Sequence, residues 1–279
     1  MSSKSGWPET TSDTASLSVP APSPLAENHS ENPSWTGWDV LYILLVMFGM
    51  LLISILAVSS IAKAFTFPTL PFRDVMNFPL VAFASQIIAY LAMLGFMFTT
   101  ATQKSGEGFW SAVRWNWPRR WFVYLIAGTI FCIGLQFLAR VLPMPKKTGM
   151  DVFFQTPLRA WVLSIFVMTL VPFIEEMFFR GFLYPVLARR LGLVLGVLVT
   201  AVSFTMIHVP QLADPHMRLA ASWGAVLIIF IIGLALTIVR AVKKSVAAGM
   251  LMHMAYNGLT SIMAIIVSGG FRHLDRITQ

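Results

Sequence analysis

The residues best suited to chemistry stand in a stretch where little else is polar. Val171-Pro172-Phe173-Ile174-Glu175-Glu176-Met177-Phe178-Phe179-Arg180-Gly181 sets two adjacent carboxylates and an arginine inside an apolar run. A charge at a bilayer centre costs about 2.5–3.5 kcal/mol on insertion scales, so a run that keeps three needs a use for them. Glu176 and Arg180 are four residues apart on a helix, share a face and can pair. Glu175 points about 100° away and has no local partner. A structural ion pair accounts for Glu176 with Arg180 and leaves Glu175 unexplained.

A histidine stands at matching depth on the next apolar run, which ends Ser203-Phe204-Thr205-Met206-Ile207-His208-Val209-Pro210. The turn between the two runs falls near Leu191-Gly192, so Glu175 lies 16 residues before Leu191 and His208 lies 17 after it. At about 1.5 Å per helical residue both sit about 24–25 Å from that turn, level in an antiparallel hairpin. A later run carries Leu251-Met252-His253-Met254-Ala255-Tyr256-Asn257-Gly258. His253 and Asn257 are stacked at i and i+4. Both are costly in lipid and belong toward a bundle interior. An interhelical hydrogen-bond pair would explain them in isolation. Beside a carboxylate pair and a second histidine, they point to a site.

The sequence shows no convincing Ser–Lys or Ser–His pair at fixed spacing, no GxSxG, no glycine-rich phosphate loop and no HExxH. What remains is a free carboxylate, two histidines and an asparagine. A buried carboxylate can act as general base on water, and a histidine can share that proton. A second histidine and an amide can donate to a developing oxyanion. This set describes hydrolysis of an acyl bond by activated water. Glu175, His208 and His253 could instead hold zinc, with water as fourth ligand. A catalytic zinc histidine usually donates its other ring nitrogen to a carboxylate or carbonyl. Glu176 is the one acid at hand for that task, and Arg180 competes for it. A carbonyl freed near Pro172 or Pro210 could also serve. Asn257 is a better amide donor than zinc ligand. Hydrolysis without a cofactor is therefore expected, with zinc as the alternative. Buried Glu and His also build proton relays in transporters, but no repeated halves of the transporter kind are found.

These residues need a frame, and composition names it. Of 279 residues, 57% are hydrophobic and 11% charged, with mean hydropathy +0.73. Typical soluble domains carry about 25% charged residues. Cys132 is the only cysteine, which excludes a disulfide-stapled module. The net charge of +8 comes from Lys and Arg that mostly sit between apolar runs, as in membrane proteins, and no nucleic-acid-binding motif accompanies it. Crossing a bilayer takes about 20 helical residues. Seven runs qualify, near 40–61, 80–100, 121–139, 161–187, 193–209, 221–240 and 246–267. The expected fold is all-α, a polytopic transmembrane helix bundle of about seven spans, or eight. Trp35, Trp38, Trp110, Trp115, Trp117 and Trp121 fall near span ends, as interfacial aromatics do. Residues 108–121 suggest a short amphipathic piece in the interface. Residues 1–37 are rich in Ser, Thr, Pro and Glu and read as a disordered acidic tail before a membrane domain at 38–279. Removal of residues 1–34 is expected to leave insertion and activity intact. Arg189, Arg190, Arg240, Lys243 and Lys244 put the 188–192 and 240–245 turns in the cytoplasm on the positive-inside rule.

Glu175-Glu176-Met177-Phe178-Phe179-Arg180 resembles the EExxxR motif of the CPBP intramembrane proteases, the CAAX-processing and bacteriocin-processing enzymes also called the Abi family. Phe204-Thr205-Met206-Ile207-His208 resembles that family's FxxxH motif, and His253-Met254-Ala255-Tyr256-Asn257 its HxxxN/D motif. Pro172, Gly181, Phe230 and Gly233 also fit. The resemblance covers about residues 155–268. It implies an active site inside the membrane and an endopeptidase acting on a CAAX-type substrate or on a leader or other peptide. It further implies that Glu175 with His208 activates water, that His253 and Asn257 form the oxyanion hole, and that Glu176 and Arg180 are supporting. The implied partners are a peptide or membrane-protein substrate and the lipid bilayer, and the implied setting is the plasma membrane of a bacterium. Before the third motif a Thr-Gly-Ser-rich turn is usual in the family; here Lys243-Lys244-Ser245 stands. The first 150 residues match nothing specific.

Overall fold

The computed structural model describes residues 33–145, 149–212 and 219–277. Among them the regular structure is helical throughout. The main helices are α1 (Gly37–Phe65), α2 (Pro79–Ser105), α3 (Trp121–Ala139), α4 (Pro157–Met168), α5 (Leu170–Glu176), α6 (Tyr184–Leu212), α7 (Leu219–Lys243) and α8 (Val246–Val267). A π-helical segment, Met177–Leu183, joins α5 to α6. Local chemistry sets the boundaries. The Asp39 carboxylate accepts from the Thr36 backbone N–H (2.7 Å) and hydroxyl (2.9 Å), closing the first turn of α1. Pro79 opens α2, and Gly106 at φ 68° ends it in the left-handed region. Lys104, in the last turn of α2, reaches back to Asp39 at 2.8 Å and ties the two helices antiparallel.

Among the described residues six helices are long and apolar enough to cross a membrane, and residues 157–212 count as one of them, 56 residues long. That stretch is not straight. Gly192 has φ 80° and ψ 172°, a conformation open in practice to glycine alone, and there the chain reverses. A Cβ on Gly196 would lie 2.7 Å from the Ala188 Cα, so the two arms touch through their backbones just past the turn. The expected spans 161–187 and 193–209 are therefore the arms of one hairpin. The fold is an all-α polytopic bundle, and the protein is a multi-pass integral membrane protein.

Three features depart from the sequence reading. The first is the outgoing arm, which is not a uniform helix. It breaks at Thr169 (φ −121°, ψ −71°), and its i+5 segment follows directly on Glu176.

The second is the ordered end of the tail. Residues 1–32 lie outside the described residues, but 33–36 pack on the bundle. Trp35, expected at the interface, is buried. Its indole stacks on Phe182 (centroids 4.5 Å apart), and its N–H donates to the Phe182 carbonyl at 3.0 Å. Arg189 donates to the carbonyls of Pro33 (2.7 Å) and Trp35 (3.1 Å). An apolar ring with one polar handle is stable inside a bundle once that handle finds an acceptor. Residues 33–36 are thus held against the bundle by these contacts.

The third is the 108–121 piece. One helical turn, Phe109–Ala112, buries Phe109 and leaves Trp110 half exposed. The following loop braces α8. Val246 N–H donates to the Arg114 carbonyl (3.0 Å), and the Asn116 amide donates to the Lys244 carbonyl (2.8 Å). The Ser245 hydroxyl donates to the Asn116 carbonyl and caps the helix by accepting from Ala248 N–H. The departure at Lys243-Lys244-Ser245 is thus held by the 114–116 loop.

Trp35→Ala removes a buried stack and a hydrogen bond, and a loss of about 3 kcal/mol is expected. The readout is a lower unfolding temperature of the purified protein, with Trp35→Phe falling between. A wild-type unfolding temperature in Trp35→Ala would show that residues 33–36 do not hold the bundle.

Candidate active site

The hairpin brings Glu175 and His208 to one level, as equal distance from Gly192 requires. Glu175 Oε1 lies 3.6 Å from His208 Nε2. The third motif completes the group from α8, with Glu175 Oε2 3.9 Å from His253 Nε2. One carboxylate therefore stands between two imidazoles, each facing it through Nε2. The far ring nitrogens are occupied. His208 Nδ1 is 2.8 Å from the Phe204 carbonyl, one turn back on its own helix. His253 Nδ1 is 3.1 Å from Glu176 Oε1. The first contact requires a proton on His208 Nδ1, which leaves Nε2 of the neutral ring as an acceptor beside Glu175. His253 lies seven residues into α8, about 10 Å along the helix from its start.

Glu176 and Arg180 form the layer behind. Both are fully buried. Arg180 Nη1 donates to Glu176 Oε1 at 2.7 Å, Nη2 to the Gly233 carbonyl at 2.8 Å, and Nε to the Thr237 hydroxyl at 3.2 Å. Its guanidinium also lies over the Phe204 ring, 4.6 Å from the centroid. Two glycines make room for this layer. A Cβ on Gly233 would approach the Phe204 ring to 3.0 Å, and one on Gly249 would reach 2.7 Å from Glu176 Oε2. Phe230, one turn from Gly233, faces a separate apolar groove between α6 and α7.

Glu175, His208, His253 and Asn257 all line one cavity of about 540 Å³. Glu176 and Arg180 are not among its lining residues. Adjacent carboxylates thus face different surroundings, one toward a space that can admit a substrate and one into packed protein. Asn257 donates through Nδ2 to the Val167 carbonyl at 2.8 Å, next to the break between α4 and α5. An amide has two hydrogens, so the second stays available to the cavity. The histidines' outer partners also revise the zinc argument. Glu176 serves Arg180 and His253 together through one oxygen, and a carbonyl serves His208. Lack of such partners therefore does not weigh against zinc. Among the described residues, however, no three His, Cys, Asp or Glu side chains are grouped so as to hold a metal ion.

The cavity wall also holds polar residues that the motifs did not single out: Gln86 and Tyr90 from α2, Gln211 from α6, and Tyr256, Thr260 and Ser261 from α8. Their available signal was polarity inside apolar runs, with Gln86 and Tyr90 four residues apart on one helix face.

Glu176→Ala strips the counter-charge from a buried guanidinium, and a loss of about 3–5 kcal/mol is expected. Gly249→Ala should shift stability the same way by pressing on Glu176. Thermal unfolding of the purified variants measures both. An unchanged unfolding temperature in Glu176→Ala would deny the pair its structural role.

Residues 157–259 match the family model described as type II CAAX prenyl endopeptidase Rce1-like. No curated protein and no solved structure matches the chain. The matched segment contains α4 through most of α8, and with them Glu175, Glu176, Arg180, His208, His253 and Asn257. Residues 157–259 are thus similar to the Rce1-like family, whose description is that of type II CAAX prenyl endopeptidases.

Proposed function

We propose that the protein hydrolyses a peptide bond inside the membrane, with Glu175 as general base on water. The observation that carries this reading is the Glu175 carboxylate between two imidazole Nε2 atoms, at 3.6 and 3.9 Å, on a cavity wall. A water beside Glu175 and His208 can hydrogen-bond to both, since both present acceptors there. Glu175 takes its proton as the oxygen attacks the carbonyl, and returns a proton to the leaving amine. His208, fixed by the Phe204 carbonyl, orients the water. His253 and the second Asn257 amide hydrogen stabilise the oxyanion. Donation from His253 Nε2 requires a ring that also keeps its Nδ1 proton toward Glu176. Glu176 and Arg180 position these groups without touching substrate. This reading leaves the chemistry to the chain's own side chains; zinc held by Glu175, His208 and His253 is the alternative that the chelation test below separates from it.

The substrate we assign is a CAAX-type prenylated peptide, the class named by the matching family model. A peptide processed from a leader is the second reading. The orientation follows from charge: Lys104, Arg189, Arg190, Lys243 and Lys244 gather at the end of the bundle where α2 stops and the hairpin turns. On the positive-inside rule that end faces the cytoplasm.

Glu175→Gln and His208→Ala should each lower kcat by about 100- to 10,000-fold while the protein stays folded. The assay is cleavage of an internally quenched prenyl-peptide by purified enzyme, with unfolding temperature as the control. Near-normal turnover in folded Glu175→Gln would defeat the assignment. Activity should also survive thorough chelation. Loss on stripping, with recovery on adding zinc, would replace general-base catalysis with a metal mechanism.

A further inference from the structure

The α2 face of the cavity has no part in the chemistry above, yet it carries Gln86 and Tyr90 one turn apart. Among the described residues neither side chain makes a hydrogen bond. Tyr90 is held in place all the same. Its ring lies parallel to Phe166, with centroids 6.0 Å apart and planes at 4°. An amide and a phenol left without partners at membrane depth are costly, and that cost is recovered when a ligand pairs with them. Phe83, Gln86 and Tyr90 mark out one face of α2 along the cavity, and His253, Asn257 and Ser261 mark out a face of α8.

Spacing identifies the ligand geometry. Gln86 and Tyr90 are four residues apart on a helix, a rise of about 6 Å. In an extended peptide the groups on one edge repeat every second residue, about 6.6–6.8 Å. A glutamine carboxamide offers one donor face and one acceptor face, and so can pair with the N–H and C=O of a single residue. A tyrosine hydroxyl can pair with either group two residues further on. We propose that Gln86 and Tyr90 form a docking edge that holds the substrate backbone extended along the cavity, beside Glu175. The inference rests on the proteolytic reading above. It adds how the substrate is presented: a helix ties up its own backbone N–H and C=O groups, whereas an extended segment has them free and its scissile carbonyl open to attack.

The test uses Gln86→Met and Tyr90→Phe, which keep volume and, for Tyr90, the stack on Phe166. The probe is a photoreactive, farnesyl-cysteine peptide, titrated against enzyme in lipid nanodiscs and read as crosslinking yield. The Glu175→Gln background keeps the probe intact, so Kd is measured without turnover. Each variant should raise Kd by about 3- to 10-fold, the range for one lost hydrogen bond. In the Glu175-intact enzyme each should raise KM by a similar factor and leave kcat within about twofold. Probes with single amide-to-ester replacements locate the contact. Two ester positions, two residues apart, should weaken binding to the parent protein. The penalty at one should vanish in Gln86→Met, and at the other in Tyr90→Phe. Unchanged Kd in both variants overturns the docking edge, as do ester penalties that persist in both. Turnover of the probe by Glu175→Gln overturns the proposed chemistry instead, and leaves the Kd comparison readable. A probe that fails to bind the parent protein overturns both.

Discussion

A guanidinium cannot shed its charge in a protein interior, so once Arg180 is enclosed its neighbours must meet every demand it makes. Glu176 supplies the counter-charge, and Gly233 and Thr237 supply acceptors from α7. Those contacts set how near α7 approaches the hairpin, and Gly233 is the residue that lets its backbone come so close. The same Glu176 oxygen holds the His253 ring and so places α8, with Gly249 clearing the space. The positions of three helices thus converge on one side chain.

The π-helical segment is where this arrangement begins. Such segments inside α-helices are often found at functional sites. Here it follows directly on Glu176 and carries Arg180, and its Phe182 carbonyl receives the Trp35 indole. Neighbouring helical residues diverge by about 100°, so Glu176 can turn into packed protein while Glu175 faces the cavity. Two identical side chains acquire different surroundings from one residue's step along the chain.

Much of this frame was legible in the sequence because the relevant signals are local. Apolar runs gave the spans, i,i+4 spacing gave the Glu176–Arg180 pair, and counting from Leu191 gave the nearly equal depth of Glu175 and His208. What escaped depends on contacts between distant segments. Trp35 near a span end looks like any interfacial aromatic until Phe182 and Arg189 are placed beside it. The π-helical step leaves no mark on apolar periodicity, since all its residues but Leu183 are buried. Gln86 and Tyr90 carry no such local signal, because nothing in the first 150 residues tells which face of α2 meets a cavity. The shared use of one Glu176 oxygen by two cations or donors is likewise a three-helix property.

The way the carboxylate is surrounded also bears on biosynthesis. Chains are made from the N-terminus, at about 5–20 residues per second. The hairpin carries Glu175, His208 and a self-contained Glu176–Arg180 pair, so these groups can enter the bilayer together. His253 and Asn257 leave the ribosome some 45 residues after His208, a delay on the order of seconds. Through that interval the cavity lacks its α8 wall, His253 and Asn257 included. The cavity therefore gains its last wall late, when α8 docks on Glu176.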